Sequence, residues 1–180
     1  MPRLQPGLLL RPRAGEVQPC EAKGAGRKGA AGKIGINPGR PAACRLNVYL
    51  SAPMIANRAL PRAQLIARAI TDAGHTITSP WVLGPVEKAD RTLVDVFQRD
   101  TRATEESDAI VADVTEPSIG VGMELMAAYK ARRRVIIVVK KGKVTSRMLT
   151  HMDNKETVEY EDEQEIYPAL LRILGPPPRK

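Results

Sequence analysis

The chain is 180 residues long, 43% hydrophobic, and carries a formal net charge of +8. This length suits one domain around a single core, and no apolar run approaches the ~20 residues needed to span a bilayer. The charge is lopsided: residues 1–45 hold nine Lys/Arg against two acids, whereas the remainder holds 19 against 18, so the body lacks the basic footprint of a nucleic-acid-binding domain.

Residues 1–45 also contain eight of the 14 glycines and six of the 15 prolines. With so little apolar surface to offset ordering entropy, this stretch reads as a disordered basic tail. Its Leu8, Leu9 and Leu10 are too few for a signal-peptide core, and it lacks the serine content and helical periodicity of a transit peptide. A nucleic-acid-binding arm is a weak reading, because no aromatic is interleaved with the charges; an extended chain start fits as well. Cys20 and Cys44 lie here, away from any core, which suggests a reducing compartment and not a disulfide scaffold. A cytoplasmic place is expected, or a nuclear one in a eukaryote.

From residue 46 strands and helices alternate. Residues 46–50 are the first strand, and Ser51 opens a loop that runs to Arg58. The first helix is predicted over 59–73, with Leu60, Ala63, Ile66, Ala67 and Ile70 on one stripe and Gly74 as its cap. Residues 75–78 form a short second strand, followed by a loop at Ser79, Pro80 and Trp81. The second helix is predicted over 88–106. Ala109, Ile110, Val111 and Ala112 make a third strand, apolar on both faces as buried parallel strands are. Asp113 closes it, and Pro117 keeps residues 115–118 a loop. The third helix carries Leu125, Ala128 and Tyr129 at helical spacing and ends with Arg132, Arg133 and Arg134, cations at the negative end of its dipole. Residues 135–139, all β-branched, are the fourth strand; a short helical piece begins near Ser146, and 157–160 are a weaker fifth strand. The last helix covers 162–174 and is stopped by Pro176, Pro177 and Pro178. The alternation reads as an α/β fold: a doubly wound, five-stranded parallel sheet with helices on both faces, Rossmann- or flavodoxin-like.

Two carboxylates stand out. Glu124 is expected in the first turn of the third helix, just past the end of a strand, where open α/β sheets bind ligands. The positive helix end would keep it ionised, and complementing that dipole is the alternative role. Gly120 and Gly122 let the backbone approach a ligand closely. Asp100 is the second. Leu93, Val96, Phe97 and Asp100 are spaced i, i+3, i+4 and i+7, so Asp100 extends an apolar stripe expected to face the sheet. An acid on a buried face is costly unless paired or used. Arg99 and Arg102 are candidate partners, although adjacent residues point to different sides. Asp90, Asp95 and Asp108 lack this placement and read as surface or capping groups. His75 and His151 have no metal-ligand spacing. Gly120-Val121-Gly122 lacks the third glycine of a dinucleotide fingerprint, and there is no Walker sequence. What remains is carboxylate chemistry on a small polar ligand.

Residues 111–125, VADVTEPSIGVGMEL, resemble the signature of the 2'-deoxynucleoside 5'-phosphate N-hydrolases, relatives of the nucleoside 2-deoxyribosyltransferases; the likeness extends over roughly 46–174. The resemblance implies a homodimeric enzyme that cleaves the N-glycosidic bond of a small nucleotide substrate without metal or organic cofactor. It implies Glu124 as the nucleophile, Asp100 as the helix-borne acid and Tyr49 as the first-strand tyrosine. It implies phosphate contacts from Ser118 and from Ser146, the latter reaching into the neighbouring subunit's site, with Arg147 and Met148 beside it. The rest of the implied substrate-binding set is the loop of Ala52, Pro53, Met54, Ile55, Ala56, Asn57 and Arg58, together with Gly120 and Gly122. The mechanism implied is the double displacement of retaining glycosidases. By pattern alone Tyr49 either orients Glu124 or is a plain strand tyrosine. Ser118 caps a helix, binds phosphate, or does both. Ser146 alone would be an N-cap, and Trp81 either stacks on the base or belongs to the core.

The first loop departs from the family. Where such hydrolases carry Gly-Ser-Ile-Arg-Gly-Gly-Arg, this chain has residues 52–58, so a phosphate-contacting serine and arginine are replaced by Pro53 and Ile55. Ser51-Ala52-Pro53 resembles the Ala-Gly-Pro of the transferases, and Arg58 is retained with its direction left open. A base-exchanging transferase and a silent nucleotide-binding module are therefore the competing readings.

Overall fold

The computed structural model describes residues 45–55, 58–85, 95–143 and 145–175. The tail at 1–44 with both cysteines, Ala56, Asn57, Asp90, Leu93 and the prolines at 176–178 lie outside the described residues.

Five strands form one parallel sheet: β1 (Asn47–Ser51), β2 (Thr76–Ile77), β3 (Ala109–Asp113), β4 (Arg134–Lys140) and β5 (Lys155–Tyr160). Their order is β2-β1-β3-β4-β5. The order reverses between β1 and β3, and in doubly wound sheets that switch point opens a crevice at the carboxyl ends of the strands. Alternation along each strand divides the core. Val48, Leu50, Val111, Ile136 and Val138 face α1 (Leu60–Asp72) and α5 (Ile166–Leu174). Tyr49, Ile110, Ala112, Val135 and Ile137 face α3 (Ile119–Lys130), with Ala103 of α2 (Val96–Glu106) packed against them. A four-residue α4 (Arg147–Thr150) follows β4.

The register is set firmly where it matters for the site. β1 pairs with β3 as Tyr49↔Ile110 and Ser51↔Ala112. On its other side β2 is only two residues long, shorter than the expected 75–78. Beyond it the Ser79 hydroxyl stands in for a strand neighbour, accepting from the Leu50 amide at 2.9 Å and donating to the Leu50 carbonyl at 2.7 Å. His75 is buried and accepts the Leu46 amide on Nδ1 at 3.2 Å, a tie between β1 and its neighbour.

At the end of β3 the buried Arg62 of α1 bonds Asp113 at 2.7 Å and Glu163 at 2.9 Å, while the other Asp113 oxygen accepts the Thr115 amide at 3.0 Å. A buried ion pair of this kind fixes geometry more surely than it adds stability. Here it holds the start of the loop leading to α3.

The second helix runs from Val96 and is capped by Asp95, which accepts the Gln98 amide at 3.0 Å; the expected stretch 88–94 lies outside the described residues. Two expectations need correction. Arg134 belongs to β4 and not to the preceding helix, which ends at Lys130; Arg132 turns the chain with φ 57°. The last helix starts with a 3-10 turn, Glu163–Glu165, capped by Asp162.

Candidate active site

Tyr49 and Ser51 are two apart on β1, so their side chains leave the same face of the sheet. That face meets α3, and both hydroxyls end on one carboxylate. Tyr49 donates to Oε1 of Glu124 at 3.0 Å, and Ser51 donates to Oε2. Tyr49 and Ser51 are themselves fully buried.

Glu124 lies in the second turn of α3, since the helix starts at Ile119 with Ser118 as its cap. The helix-end field falls off within the first turn, so the expectation of a carboxylate kept ionised by the dipole fails. Burial raises the Glu124 pKa to about 7; the Ser51 and Tyr49 hydrogen bonds oppose this, the charge of Asp100 adds to it, and Arg99 opposes it. The Tyr49 phenol is pushed up by burial and then by the Glu124 charge, so it stays protonated and acts as a donor.

Asp100 is near enough for its charge to act on both Glu124 and Tyr49. It arrives there for a different reason from the one expected. The stripe that was to face the sheet is open at its start, with Phe97 61% exposed. The side of α2 that packs inward carries Ala103 and Thr104, and Asp100 precedes Thr104 by one turn. Its side chain is 19% exposed and pairs with Arg99 at 2.8 Å, so adjacent residues do meet, because the long arginine arm bends back. Arg102 bonds Glu106 instead.

Arg99 also lies over the Trp81 ring at 4.4 Å, and Trp81 meets Tyr49 edge-on at 6.3 Å. Trp81 packs against both core clusters. One face of its ring is already covered by the Arg99 guanidinium. Two residues that sequence reasoning passed over belong to this group. Ser51 was legible from the two-residue alternation with Tyr49. Thr104, whose side chain acts on the Tyr49 phenol and donates to the Asp100 carbonyl at 2.7 Å, follows Asp100 at i+4 and was legible from helical spacing.

The other sequence-derived residues collect elsewhere. A cavity of about 450 Å³ opens between α3 and α4, lined by Ser118, Gly122, Ser146 and Met148 among others, mostly apolar. Glu124, Asp100 and Tyr49 do not line it. This cavity and the Glu124 cluster therefore lie apart; in the cluster a buried carboxylate meets two hydroxyl donors and feels a second carboxylate, Asp100. Ser118 caps α3, accepting the Val121 amide at 3.4 Å, whereas the Ser146 side chain makes no cap bond and is exposed. A side-chain carbon at Gly122 would meet open space, and at Gly120 only the Ser118 hydroxyl at 3.9 Å, so these glycines leave room. Arg147 is exposed beside the cavity.

In the first loop Ala52 and Met54 pack against the core, Pro53 is buried, and Ile55 is 82% exposed. Arg58 donates from Nη2 to the carbonyls of Val82 at 3.0 Å and of Gly84. Its guanidinium is committed to the 3-10 turn Pro80–Leu83 and does not replace the missing loop arginine. Among the described residues no cluster of His, Cys, Asp and Glu could hold a metal ion, and no helix is long and apolar enough to cross a membrane.

No protein-family model matches the chain. A Thermofilum pendens protein, named provisionally as 2'-deoxynucleoside 5'-phosphate N-hydrolase 1, is 31% identical over 137 residues, which are 72% of this chain and 95% of the relative. The 5-hydroxymethyl-dUMP N-hydrolase of Danio rerio is 36% identical over 72 residues, 39% of this chain and 50% of that protein. The solved structure of the 2-deoxyribosyltransferase from Bacillus psychrosaccharolyticus shares the fold, with a TM-score of 0.53 at 21% identity over 74% of this chain and 99% of that one. With nearly the whole Thermofilum pendens relative matched at this identity, the chain belongs to the 2'-deoxynucleoside 5'-phosphate N-hydrolase family.

Proposed function

We propose that the chain hydrolyses the N-glycosidic bond of 2'-deoxyribonucleoside 5'-monophosphates, giving deoxyribose 5-phosphate and free base. The observation that carries this reading is the Glu124 carboxylate, both of whose oxygens are held by hydroxyl donors, with a second carboxylate, Asp100, beside it. Paired carboxylates at one anomeric carbon are what a retaining double displacement needs. An oxygen of Glu124 bonds C1' as the C1'–N bond breaks, and the electron pair leaves with the base, which takes a proton from Asp100. Water then attacks C1' and gives a proton to Asp100, and Glu124 departs as a carboxylate. A 2-deoxy sugar lacks the electron-withdrawing hydroxyl that disfavours an oxocarbenium-like transition state, which eases both steps.

The first loop favours a second reading. With Pro53 and Ile55 where serine and arginine are expected, and Arg58 turned to carbonyls, the 5'-phosphate has lost a guanidinium. Base release from a monophosphate without added base supports hydrolysis; turnover only with an acceptor base supports a transferase. Monophosphates are expected to remain preferred over nucleosides, through Ser118 at a helix N-terminus and Ser146. Ile55→Arg is expected to widen that kcat/KM ratio by roughly tenfold or more, the effect of one charge-assisted contact. An unchanged ratio would mean that residue 55 does not face the phosphate.

A homodimer is part of this proposal. Ile119, 86% exposed, and Met148, 74% exposed, project beside the cavity, with Met123, Met126 and Tyr129 also exposed on α3. An apolar patch of this kind suits an interface, and a partner seated there would bring Ser146 to a neighbour's site. Mixing Glu124→Gln with Ser146→Ala, each inactive alone, is expected to restore activity through one intact site per heterodimer. A fully active monomer in analytical ultracentrifugation would overturn the shared site.

A further inference from the structure

We infer that Ser51 is a positioning residue for Glu124: its buried hydroxyl donates to Oε2 while Tyr49 holds Oε1, so the carboxylate is gripped at both ends and held in one orientation for attack. The inference rests on the reading of Glu124 as nucleophile and concerns how that nucleophile is made usable.

Three features of the site support it. The donor has little freedom to move, because β1 is hydrogen-bonded to β3 at Ser51↔Ala112 and the preceding Leu50 is held on its other flank by the Ser79 hydroxyl. A carboxylate oxygen offers more than one lone-pair site, so a hydroxyl on each leaves room for attack on carbon. Whichever oxygen bonds C1', the other keeps a donor, and that donor steadies the charge returning to the carboxylate when water breaks the ester. A strand tyrosine alone would hold one oxygen and leave rotation about the carboxyl bond unconstrained.

The groups able to shift Glu124 are Tyr49 and Ser51 on β1 and Arg99 and Asp100 on α2. Burial opposes the charged form, and Ser51 is the first of the influences that favour it. Removing the hydroxyl should therefore move the acid limb of the kcat/KM profile to higher pH.

The test uses the full chain as wild type, Ser51→Ala, Ser51→Cys and Glu124→Gln, assayed on a deoxynucleoside monophosphate from pH 5 to 9. Ser51→Ala is expected to shift the acid limb upward by about one pH unit, which is about tenfold in kcat/KM on that limb, the worth of one hydrogen bond to a charged group. Activity should recover towards wild type on the alkaline side with KM little changed, and Ser51→Cys, a weak donor, should fall between. A limb that does not move, or a loss uniform across pH, would overturn the inference while an inactive Glu124→Gln leaves the nucleophile reading standing. If Glu124→Gln keeps the wild-type profile, the nucleophile reading and this inference fall together.

Discussion

Glu124→Gln is expected to remove turnover and, above pH 7, to stabilise the fold. The first half follows from chemistry. An amide oxygen is a poor nucleophile and a poor leaving group, so the loss should be about a thousandfold or more. The second half follows from burial. In the folded chain the Glu124 carboxyl titrates near 7, against an ordinary value of 4.5. Between those values the native state holds more protons than the unfolded one, so this group's contribution to stability is full below about 4.5 and is lost as pH rises through 7. The difference corresponds to roughly 3 kcal/mol at about 1.4 kcal/mol per tenfold. Glutamine cannot ionise and escapes this cost. Its Tm should match wild type near pH 5 and exceed it near pH 8.5. Near-normal activity would sink the nucleophile, and equal Tm differences at both pH values would sink the burial argument.

Asp100→Asn carries the second large effect, with a different signature in pH. If Asp100 delivers the proton to the departing base, its loss should cost about a hundredfold or more, most for bases that leave poorly. As proton donor Asp100 is uncharged in the productive form, so the variant's acid limb should stay in place, unlike that of Ser51→Ala; a charged Asp100 would raise the Glu124 pKa, and its loss would move the limb to lower pH. Steady-state kinetics across substrates with good and poor leaving bases reads both. An equal loss for all bases would mean that Asp100 positions the substrate, and a limb moved to lower pH would mean that Asp100 is charged in the resting site and does not carry the proton.

The architecture was legible because parallel strands buried on both faces leave unmistakable apolar runs: residues 135–139 are buried throughout, as are Ala109 to Asp113. Short edge elements were less so. β2 ends after Ile77 because a serine side chain takes over its hydrogen bonding, and no periodicity announces that. Asp100 was drawn out by a stripe that is exposed at Phe97, so its nearness to Glu124 has a different cause from the one expected. Glu124 was placed one turn too early, since a cap two residues before the first glycine of the helix is hard to place from sequence, and with that turn went the dipole argument. The direction of Arg58 is a tertiary fact, decided by the unpaired carbonyls of Val82 and Gly84. Ser51 was within reach of simple alternation once Tyr49 had been chosen.

The hydroxyl of Ser79 has a consequence beyond the site. A two-residue edge strand leaves the flank of its neighbour bare, and a bare flank is a template on which a foreign chain can add itself. At Leu50 both the amide and the carbonyl on that flank are already occupied by Ser79, beneath the turn of Pro80–Leu83. Any intruding strand would have to displace a fully buried side chain to gain its first pair of bonds. The thinnest corner of the sheet is thereby guarded against aggregation by a single oxygen atom.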